Sequence, residues 1–245
     1  GGVGAVFFGW LMDRFNADRI IALGYLLTAL VIYAIGHALG NVGLLVVVVF
    51  VACLEGLSTA AQAATVQVEV LDAAGRPLPD AVVFLESADA RKAVKPLSGA
   101  EMAQEKRQFV PGVLVVPVGT EVRFPNHDSV RHHVYSFSPA KKFELKLYTG
   151  TPSNPVLFDR PGVAVLGCNI HDQMVGWIVV VDTPYYARTP AAPGRAQIDN
   201  VPPGTYTLRT WHTRLPVGAP AQEQALTVPA TGAAAASVRL AGLQP

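Results

Sequence analysis

Three residues with soft or borderline metal-binding side chains follow one another at a regular spacing. Cys168, His171 and Met174 are each three positions apart, so a tight loop would bring a thiolate, an imidazole and a thioether to one point. The apolar runs at residues 163–167 and 176–181 flank this segment, which predicts a loop between two strands. The loop offers three donors, and a further ligand must come from elsewhere in the chain.

A histidine-rich segment upstream of this loop can supply that ligand. Residues 126–134 contain His127, His132 and His133, and a neighbouring strand end would bring them near the loop. Adjacent residues in a strand point to opposite faces of the sheet. Only one of His132 and His133 can therefore readily face a metal ion.

The donor types indicate which metal such a site would prefer. Two imidazoles and a thiolate in a trigonal arrangement, with a long weak bond to methionine, form the blue-copper electron-transfer site. Zinc prefers four strong nitrogen, sulfur or oxygen donors, and a thioether is a poor one. The residues therefore predict one type 1 copper ion. We expect a protein that is not an enzyme, since the sequence suggests neither a second copper cluster nor paired carboxylates for substrate chemistry.

At these positions the sequence resembles the cupredoxins, and its loop length is most similar to that of amicyanin, where Cys-x2-His-x2-Met precedes a glycine and a valine-rich last strand. Residues 124–128, 132–138 and 167–172 also look like the plastocyanin-like proteins often labelled methylamine utilization proteins. The match covers roughly residues 65–215. The resemblance implies four copper ligands, with methionine in the axial position: His132, Cys168, His171 and Met174.

One position departs from the cupredoxin pattern. In many cupredoxins an asparagine follows the first ligand histidine and ties the two ligand loops together, whereas this chain has His133. The motif register favours His132 as the ligand and leaves His133 as a supporting or surface group. We expect His127 to be a loop residue and His212 to be a surface or packing histidine.

The elements that must position these residues are predicted to be strands. Alternation at residues 65–70, turn residues at 72–77 and a β-rich run at 81–85 predict a hairpin. With the resemblance, the pattern indicates a mainly β, cupredoxin-like Greek-key β-sandwich over residues 64–182. Further strands are predicted at residues 113–118, 121–124, 133–137, 163–166 and 177–181.

A smaller module is predicted over residues 183–245. It begins with a proline-rich stretch at 183–194 that is interpreted as a linker. The sequence Pro-Pro-Gly-x-Tyr-x-Leu at residues 202–208 resembles the carboxypeptidase-regulatory, transthyretin-like β module, which implies a packing or interaction role. Strands are predicted at residues 196–198, 206–211 and 237–240.

The first 63 residues have a different, membrane-like character. No Asp, Glu, Lys or Arg occurs in residues 20–54, and residues 20–38 are just long enough to cross a hydrocarbon core of about 30 Å as a helix. The Gly-x-Leu-x-Asp-Arg sequence at residues 9–14 resembles a loop of major facilitator superfamily transporters. Residues 1–63 are thus interpreted as a transporter-like hydrophobic helical fragment that acts at most as an anchor. The alternative is a secretory signal that ends in the small-x-small pattern at residues 61–63.

Composition excludes several classes of protein. Lys plus Arg number 19 against 18 Asp plus Glu, a formal net charge of +1, which gives no electrostatic reason to expect a nucleic-acid partner. The chain is 51% hydrophobic and 15% charged, too apolar for a disordered protein. Two cysteines exclude a multi-disulfide scaffold, and Cys53, within the apolar run, is expected to be inert.

The sequence therefore predicts a type 1 copper electron carrier, periplasmic or membrane-anchored facing the periplasm. Its electron would pass through the edge of His171 to a redox protein such as a c-type cytochrome or a dehydrogenase. A basic face formed by Arg131, Lys141 and Lys142 is a candidate docking surface. The alternative, motivated by the C-terminal module, is a cell-envelope β-sandwich that binds a carbohydrate or protein ligand and has a structural metal site.

Overall fold

The structure, a computed structural model, is divided into two units, Gly1–Ala61 and Gln62–Pro245. The predicted hydrophobic segment 1–63 falls almost entirely outside the described residues. Among the residues that are described, no helix is both long enough and apolar enough to span a membrane. The structure describes residues 63–152, 154–191, 195–230 and 232–244, and in the first unit the helical residues Leu26, Thr28, Leu30 and Tyr33.

The described part of the second unit is built mainly from short strands. One helix of five residues, α1 (Ala88–Lys92), begins at Ser87, whose side chain accepts a hydrogen bond from the Ala90 N–H. The strands are β1 (Ala64–Leu71), β2 (Val82–Glu86), β3 (Ala100–Glu101), β4 (Ala103–Glu105), β5 (Gln108–Val110), β6 (Val113–Pro117), β7 (Thr120–Arg123), β8 (His132–Ser138), β9 (Lys141–Tyr148), β10 (Val156–Phe158), β11 (Gly162–Cys168), β12 (Val175–Val181), β13 (Tyr186–Arg188), β14 (Ala196–Val201), β15 (Gly204–Trp211), β16 (Gln222–Val228) and β17 (Ala234–Arg239).

A β-sandwich contains the residues predicted to carry the chemistry. Its larger sheet has the order β6-β12-β11-β8-β9, and its smaller sheet has the order β10-β7-β3. Alternate residues of these strands point inward, as Val134, Leu166 and Ile178 do, and form one apolar core with Phe124 and Phe158. Cys168 and Met174 belong to the same core, so two of the predicted metal ligands are part of the buried interior of this sandwich.

The N-terminal strands β1 and β2 lie in a second sandwich. One of its sheets has the order β14-β1-β17 and the other the order β13-β2-β15-β16. The predicted hairpin of residues 65–85 is therefore wrong, because β1 and β2 pair with C-terminal strands in different sheets. The stretch interpreted as a linker also contains β13, which pairs with β2.

The two sandwiches pack against each other through β2 and β12. Val83 and Leu85 of β2 face the core of the second sandwich. Val82 and Phe84, on the other face of the strand, meet Val179 and Val181 of β12 in a third apolar cluster. This double burial explains why β2 is a continuous apolar run rather than an alternating one.

Most strands predicted near the site are confirmed. Residues predicted to be extended coincide closely with β6, β7, β8, β11 and β12. Strand β9 was missed, although Phe143 and Leu145 pack against the core from it. It lies at the edge of the larger sheet, and its outward-facing charged residues resemble a solvated loop in sequence.

A close approach at Gly176 predicts a marked loss of stability on substitution. A Cβ atom at Gly176 would lie 2.8 Å from Cβ of Phe109 and 2.9 Å from its Cγ, and Phe109 is buried. Overpacking of this kind costs about 1–3 kcal/mol. Gly176→Ala is expected to lower the free energy of unfolding in urea by that amount. Gly112→Ala is the matched control, since nothing lies within 4 Å of a Cβ there, and an equal loss in both variants would contradict the packing argument.

Candidate metal centre

Strands β8 and β11 bring the two separate parts of the site together. They pair antiparallel, with Cys168 opposite Val134. A register shift between His132 and Val134 marks an irregularity at the start of β8, in its pairing with β9. His132 therefore lies beside Cys168 although 36 positions separate them in the sequence.

The loop after β11 is folded by two successive backbone turns. The His171 N–H donates to the Cys168 carbonyl at 3.3 Å, and the Met174 N–H donates to the His171 carbonyl at 2.9 Å. These turns return the chain over the end of β11 within a few residues. The predicted tight loop between two strands is confirmed.

Three donor atoms converge in this region. The Cys168 Sγ lies 3.6 Å from Nδ1 of His132 and 3.7 Å from Nδ1 of His171. The two imidazole rings have centroids 5.0 Å apart, and the ligand atoms of the three residues all lie within 4.8 Å of one another. His132 and Cys168 are buried, whereas His171 is partly exposed.

These separations fit three ligands of one ion. A metal–sulfur bond of about 2.3 Å and a metal–nitrogen bond of about 2.0 Å, at an angle of about 110–120°, place sulfur and nitrogen about 3.5–3.7 Å apart. The two sulfur–nitrogen distances in the structure, 3.6 and 3.7 Å, lie in this range. A neutral thiol has one proton and can donate to only one of the two ring nitrogens, whereas a shared cation would bind both and the thiolate.

The donor set suits a single copper ion. Thiolate and imidazole together bind copper well, and a strong tetrahedral zinc site would require a fourth nitrogen, sulfur or oxygen donor. Within the described parts of the chain, the cluster of histidine, cysteine and carboxylate donors has three members. Met174 is buried in the same core as Cys168, and its axial role stays a prediction.

An acidic residue determines which nitrogen of His132 carries a proton. Nε2 of His132 lies 2.8 Å from Oδ2 of Asp128, and because a carboxylate only accepts hydrogen bonds, Nε2 donates. In the neutral ring, the other nitrogen, Nδ1, then has no proton, and its lone pair is available to a metal ion; it lies 3.6 Å from the Cys168 Sγ. Burial raises the pKa of Asp128, but hydrogen bonds from the Arg107 N–H, the His132 ring and the Lys106 N–H outweigh it and lower that pKa below its usual value.

His133 points away from the three donor atoms. Its Nε2 lies 2.8 Å from Oε1 of Glu144, on the face of the larger sheet that also has Tyr135 and the exposed Phe137. The backbone of His133 nevertheless links the two ligand segments, since its carbonyl accepts a hydrogen bond from the Asn169 N–H at 3.1 Å. In this chain a main-chain hydrogen bond therefore joins the two segments, whereas in the cupredoxin pattern the side chain of an asparagine at the position of His133 joins them.

Two further histidines, His127 and His212, lie outside the group of three donor residues. His127 pairs with Glu105 at 3.0 Å, and both side chains are exposed. His212 is buried: its Nε2 donates to the Pro79 carbonyl at 3.1 Å, and its Nδ1 accepts from the Arg214 N–H at 3.0 Å. Burial lowers the pKa of His212, as fits a packing histidine with both nitrogens bonded.

Sequence reasoning missed the residues that surround the predicted ligands. Asp128 lies within the resemblance motif at residues 124–128, but its contact with His132 was not predicted. Gly167, the residue before Cys168, has no side chain, and the Tyr135 ring occupies that space: a Cβ there would lie 2.8 Å from the ring. A glycine directly before a ligand cysteine is a usable signal of such a close approach, whereas a single aspartate four residues before a histidine is not.

Comparison with known proteins gives two separate likenesses. No family model matches the chain. A stretch at the N terminus is similar to aromatic-acid transporters: the chain is 43% identical over 63 residues to the 4-hydroxybenzoate transporter PcaK of Pseudomonas putida. It is 45% identical over 65 residues to a gallate transporter of the same organism. These matches cover 24% and 26% of this chain, which spans only 14% of the length of either transporter.

Solved structures of copper proteins, cupredoxins among them, are similar to part of this chain. A purple cupredoxin from Nitrosopumilus maritimus is 27% identical and covers 34% of this chain and 99% of its own, with a TM-score of 0.28. A reduced amicyanin variant is 20% identical, covering 40% and 98%, with a TM-score of 0.30. A copper-containing nitrite reductase from Thermus scotoductus is 23% identical, covering 46% and 28%, with a TM-score of 0.32. At such low TM-scores these likenesses do not bear on function, which depends here on the site itself.

Proposed function

We propose that this chain is a type 1 copper electron-transfer protein. The observation that supports the proposal is the convergence of Nδ1 of His132 and Nδ1 of His171 on the Cys168 sulfur. Bound at this point, copper would accept and release single electrons. The chain's part is to hold a thiolate and two imidazoles in a nearly fixed arrangement, so that little rearrangement accompanies the change in charge.

Each residue of the site has a distinct part in this proposal. Cys168 supplies the thiolate from the buried end of β11, and His132 supplies a nitrogen from a fully buried ring. His171 supplies the second nitrogen from the loop and is more exposed than the other two. Met174 is proposed as the weak axial ligand because its side chain is buried in the same core.

The partly exposed ring of His171 is the proposed point of electron exchange. In and beside the same loop, the apolar side chains of Ile170 and Val175 are 47% and 41% exposed, and Asp172 and Gln173, which follow His171, are exposed polar residues. A small mixed surface of this kind suits the brief encounters of redox proteins, which bury less than about 1,200 Å². The proposed partners are a c-type cytochrome or a dehydrogenase. The proposed location is the periplasm, or the membrane facing it, because the predicted N-terminal segment would direct export or anchoring.

A stoichiometric redox titration tests this proposal. Full-length protein loaded with one equivalent of Cu(II) is expected to consume one electron per chain from ascorbate, and to return it to a one-electron oxidant such as ferricyanide. The cycle should repeat without loss, because the fold holds the ligands in both states. A protein that binds copper but releases it on reduction, or that turns over a substrate, would overturn the electron-carrier proposal. Carbohydrate binding that persists in copper-free protein would favour the alternative of a binding module.

A further inference from the structure

Three histidines of the cupredoxin-like sandwich each pair with a carboxylate, but the pairs differ in their surroundings. The ring–carboxylate distances are 2.8 Å for His132–Asp128, 2.8 Å for His133–Glu144 and 3.0 Å for His127–Glu105. Side-chain exposure is 0% for His132 and 15% for Asp128, whereas Glu144 and Glu105 are 49% and 47% exposed. The buried pair is the one beside Cys168.

The carboxylate of Asp128 is held by the tip of a distant hairpin. Strands β4 and β5 pair antiparallel, and Lys106 and Arg107 form the two-residue tip between them. The Lys106 N–H donates to Oδ1 of Asp128 at 2.6 Å, and the Arg107 N–H donates to Oδ2 at 2.9 Å. Since Oδ2 also accepts from His132, the hairpin tip and the buried ring are joined through one carboxylate.

The backbone conformation of the tip makes these two hydrogen bonds possible. Lys106 and Arg107 have φ angles of 53° and 59°, in the left-handed region that residues other than glycine seldom adopt. Two-residue hairpin turns with positive φ at both positions usually contain asparagine and glycine. Here lysine and arginine adopt this conformation, and both N–H groups face the carboxylate.

The hairpin is also anchored along its length to the ligand-bearing sandwich. The Gln104 N–H of β4 donates to the Pro125 carbonyl at 2.8 Å, and the His127 N–H donates to the Gln104 carbonyl at 2.9 Å. On β5, the buried Phe109 ring packs on Gly176, which follows the loop of residues 168–174 that contains Cys168 and His171. The tip therefore has a fixed position relative to both ligand segments.

Asp128 is fixed from its own loop as well. Oδ1 of Asn126 accepts a hydrogen bond from the Asp128 N–H at 2.9 Å. The side-chain amide of Asn126 donates to the carbonyls of Val130 and Tyr148, each at 2.9 Å. The carboxylate thus has little freedom to leave His132.

From these contacts we infer that the β4–β5 hairpin is a positioning element for the metal centre: its tip N–H groups hold Asp128, and Asp128 keeps the His132 proton on Nε2 and the Nδ1 lone pair directed at Cys168. The inference rests on the proposed role of His132 as a copper ligand. Asp128 is a positioning residue, since it acts through His132. Partners of this kind typically change metal affinity by about 10- to 100-fold when removed.

The first test uses metal-free, full-length protein and nitrogen NMR of the histidine rings. In the unsubstituted protein the neutral His132 ring is expected to carry its proton on Nε2, and the Lys106 and Arg107 N–H groups are expected to exchange slowly although the tip is exposed. In Asp128→Ala both tip N–H groups should exchange faster, and His132 should populate both tautomers. Asp128→Asn retains one oxygen acceptor, so its effects should be smaller, and this variant serves if the alanine variant does not fold.

Another carboxylate provides a matched control. Glu144→Gln alters a histidine–carboxylate pair of the same length, 2.8 Å, outside the site and outside the β4–β5 hairpin, and it should leave the His132 tautomer and the tip exchange unchanged. An unchanged tautomer and unchanged tip exchange in Asp128→Ala would overturn the inference.

The second test measures release of copper to a chelator from the same variants. Asp128→Ala is expected to release copper about 10- to 100-fold faster than the unsubstituted protein, whereas Glu144→Gln should release it at the unsubstituted rate. Equal release from Asp128→Ala and Glu144→Gln would contradict the inference. If the unsubstituted protein binds no copper, the proposed function fails, while the tautomer in metal-free protein still decides whether the hairpin positions His132.

Discussion

The Cys168→Ser variant is expected to be nearly colourless when Cu(II) is added, whereas the unsubstituted protein turns intensely blue. The colour of such a site arises from charge transfer between a cysteine thiolate and copper, and serine cannot supply the sulfur. Copper affinity should fall by more than about 100-fold. Removing a residue that only hydrogen-bonds to a metal ligand lowers affinity by up to about 100-fold, and removing the ligand itself should cost more. Visible absorption during a copper titration measures both effects.

Two comparisons make this result specific. Cys168 is 4% exposed, so a buried serine hydroxyl should cost about 1–3 kcal/mol of stability, and circular dichroism shows whether the variant is folded. Cys53→Ser removes the other cysteine of the chain and should leave the blue band intact. A folded Cys168→Ser variant with undiminished colour would refute the assignment of Cys168 as a ligand.

Adjacent histidines at the start of β8 should behave in opposite ways. His132→Ala is expected to reduce copper affinity by more than about 100-fold, because it removes a ligand nitrogen and leaves the Asp128 carboxylate without its buried partner. His133→Ala is expected to leave copper affinity unchanged, because His133 faces Glu144 on the other side of the sheet. The partly exposed ion pair of His133 with Glu144 should contribute only about 0–1 kcal/mol to the free energy of unfolding.

Isothermal titration with Cu(I) under anaerobic conditions distinguishes the two variants. The neighbouring positions make each variant a control for the other, since both lose an imidazole from the same strand. Loss of copper binding in His133→Ala, with binding retained in His132→Ala, would reverse the assignment that the structure supports.

The approach of His171 to Cys168 was predictable because its information is local. Residues three positions apart come within about 7 Å of each other in a β-turn, whereas the role of Met174 stays a prediction. The choice between His132 and His133 required information from the folded chain. The alternation of side chains along a strand shows that the two rings face opposite sides of the sheet, but it does not show which side faces the core. The inward orientation of Val134 and the pairing of β8 with β11 answer that question.

The hairpin contact with Asp128 was not predictable from residue types. Lys106 and Arg107 lie 22 and 21 positions from Asp128, and they contact it through backbone N–H groups that every residue except proline possesses. Nothing in the side chains of a lysine and an arginine indicates a left-handed turn. Positive φ at these residues is visible only in the folded chain.

The prediction that β1 and β2 form a hairpin was wrong because their true partners are distant in sequence. Turn residues at 72–77 indicate a local reversal of the chain, and the nearest partner for β1 in sequence is β2. The uninterrupted apolar run Val82–Leu85 was the contrary signal, because a strand buried on both faces belongs in the middle of two layers. The β1 and β2 strands pair with the C-terminal strands, and the division at residue 182 into two modules stays a prediction.

X-ray absorption at the copper edge of the Cu(II)-loaded, full-length protein tests the central claim most directly, because it counts the atoms bound to the metal. The account predicts one copper per chain with a single short bond to sulfur and two bonds to imidazole nitrogen, from Cys168, His132 and His171. A copper ion surrounded only by nitrogen and oxygen would contradict it.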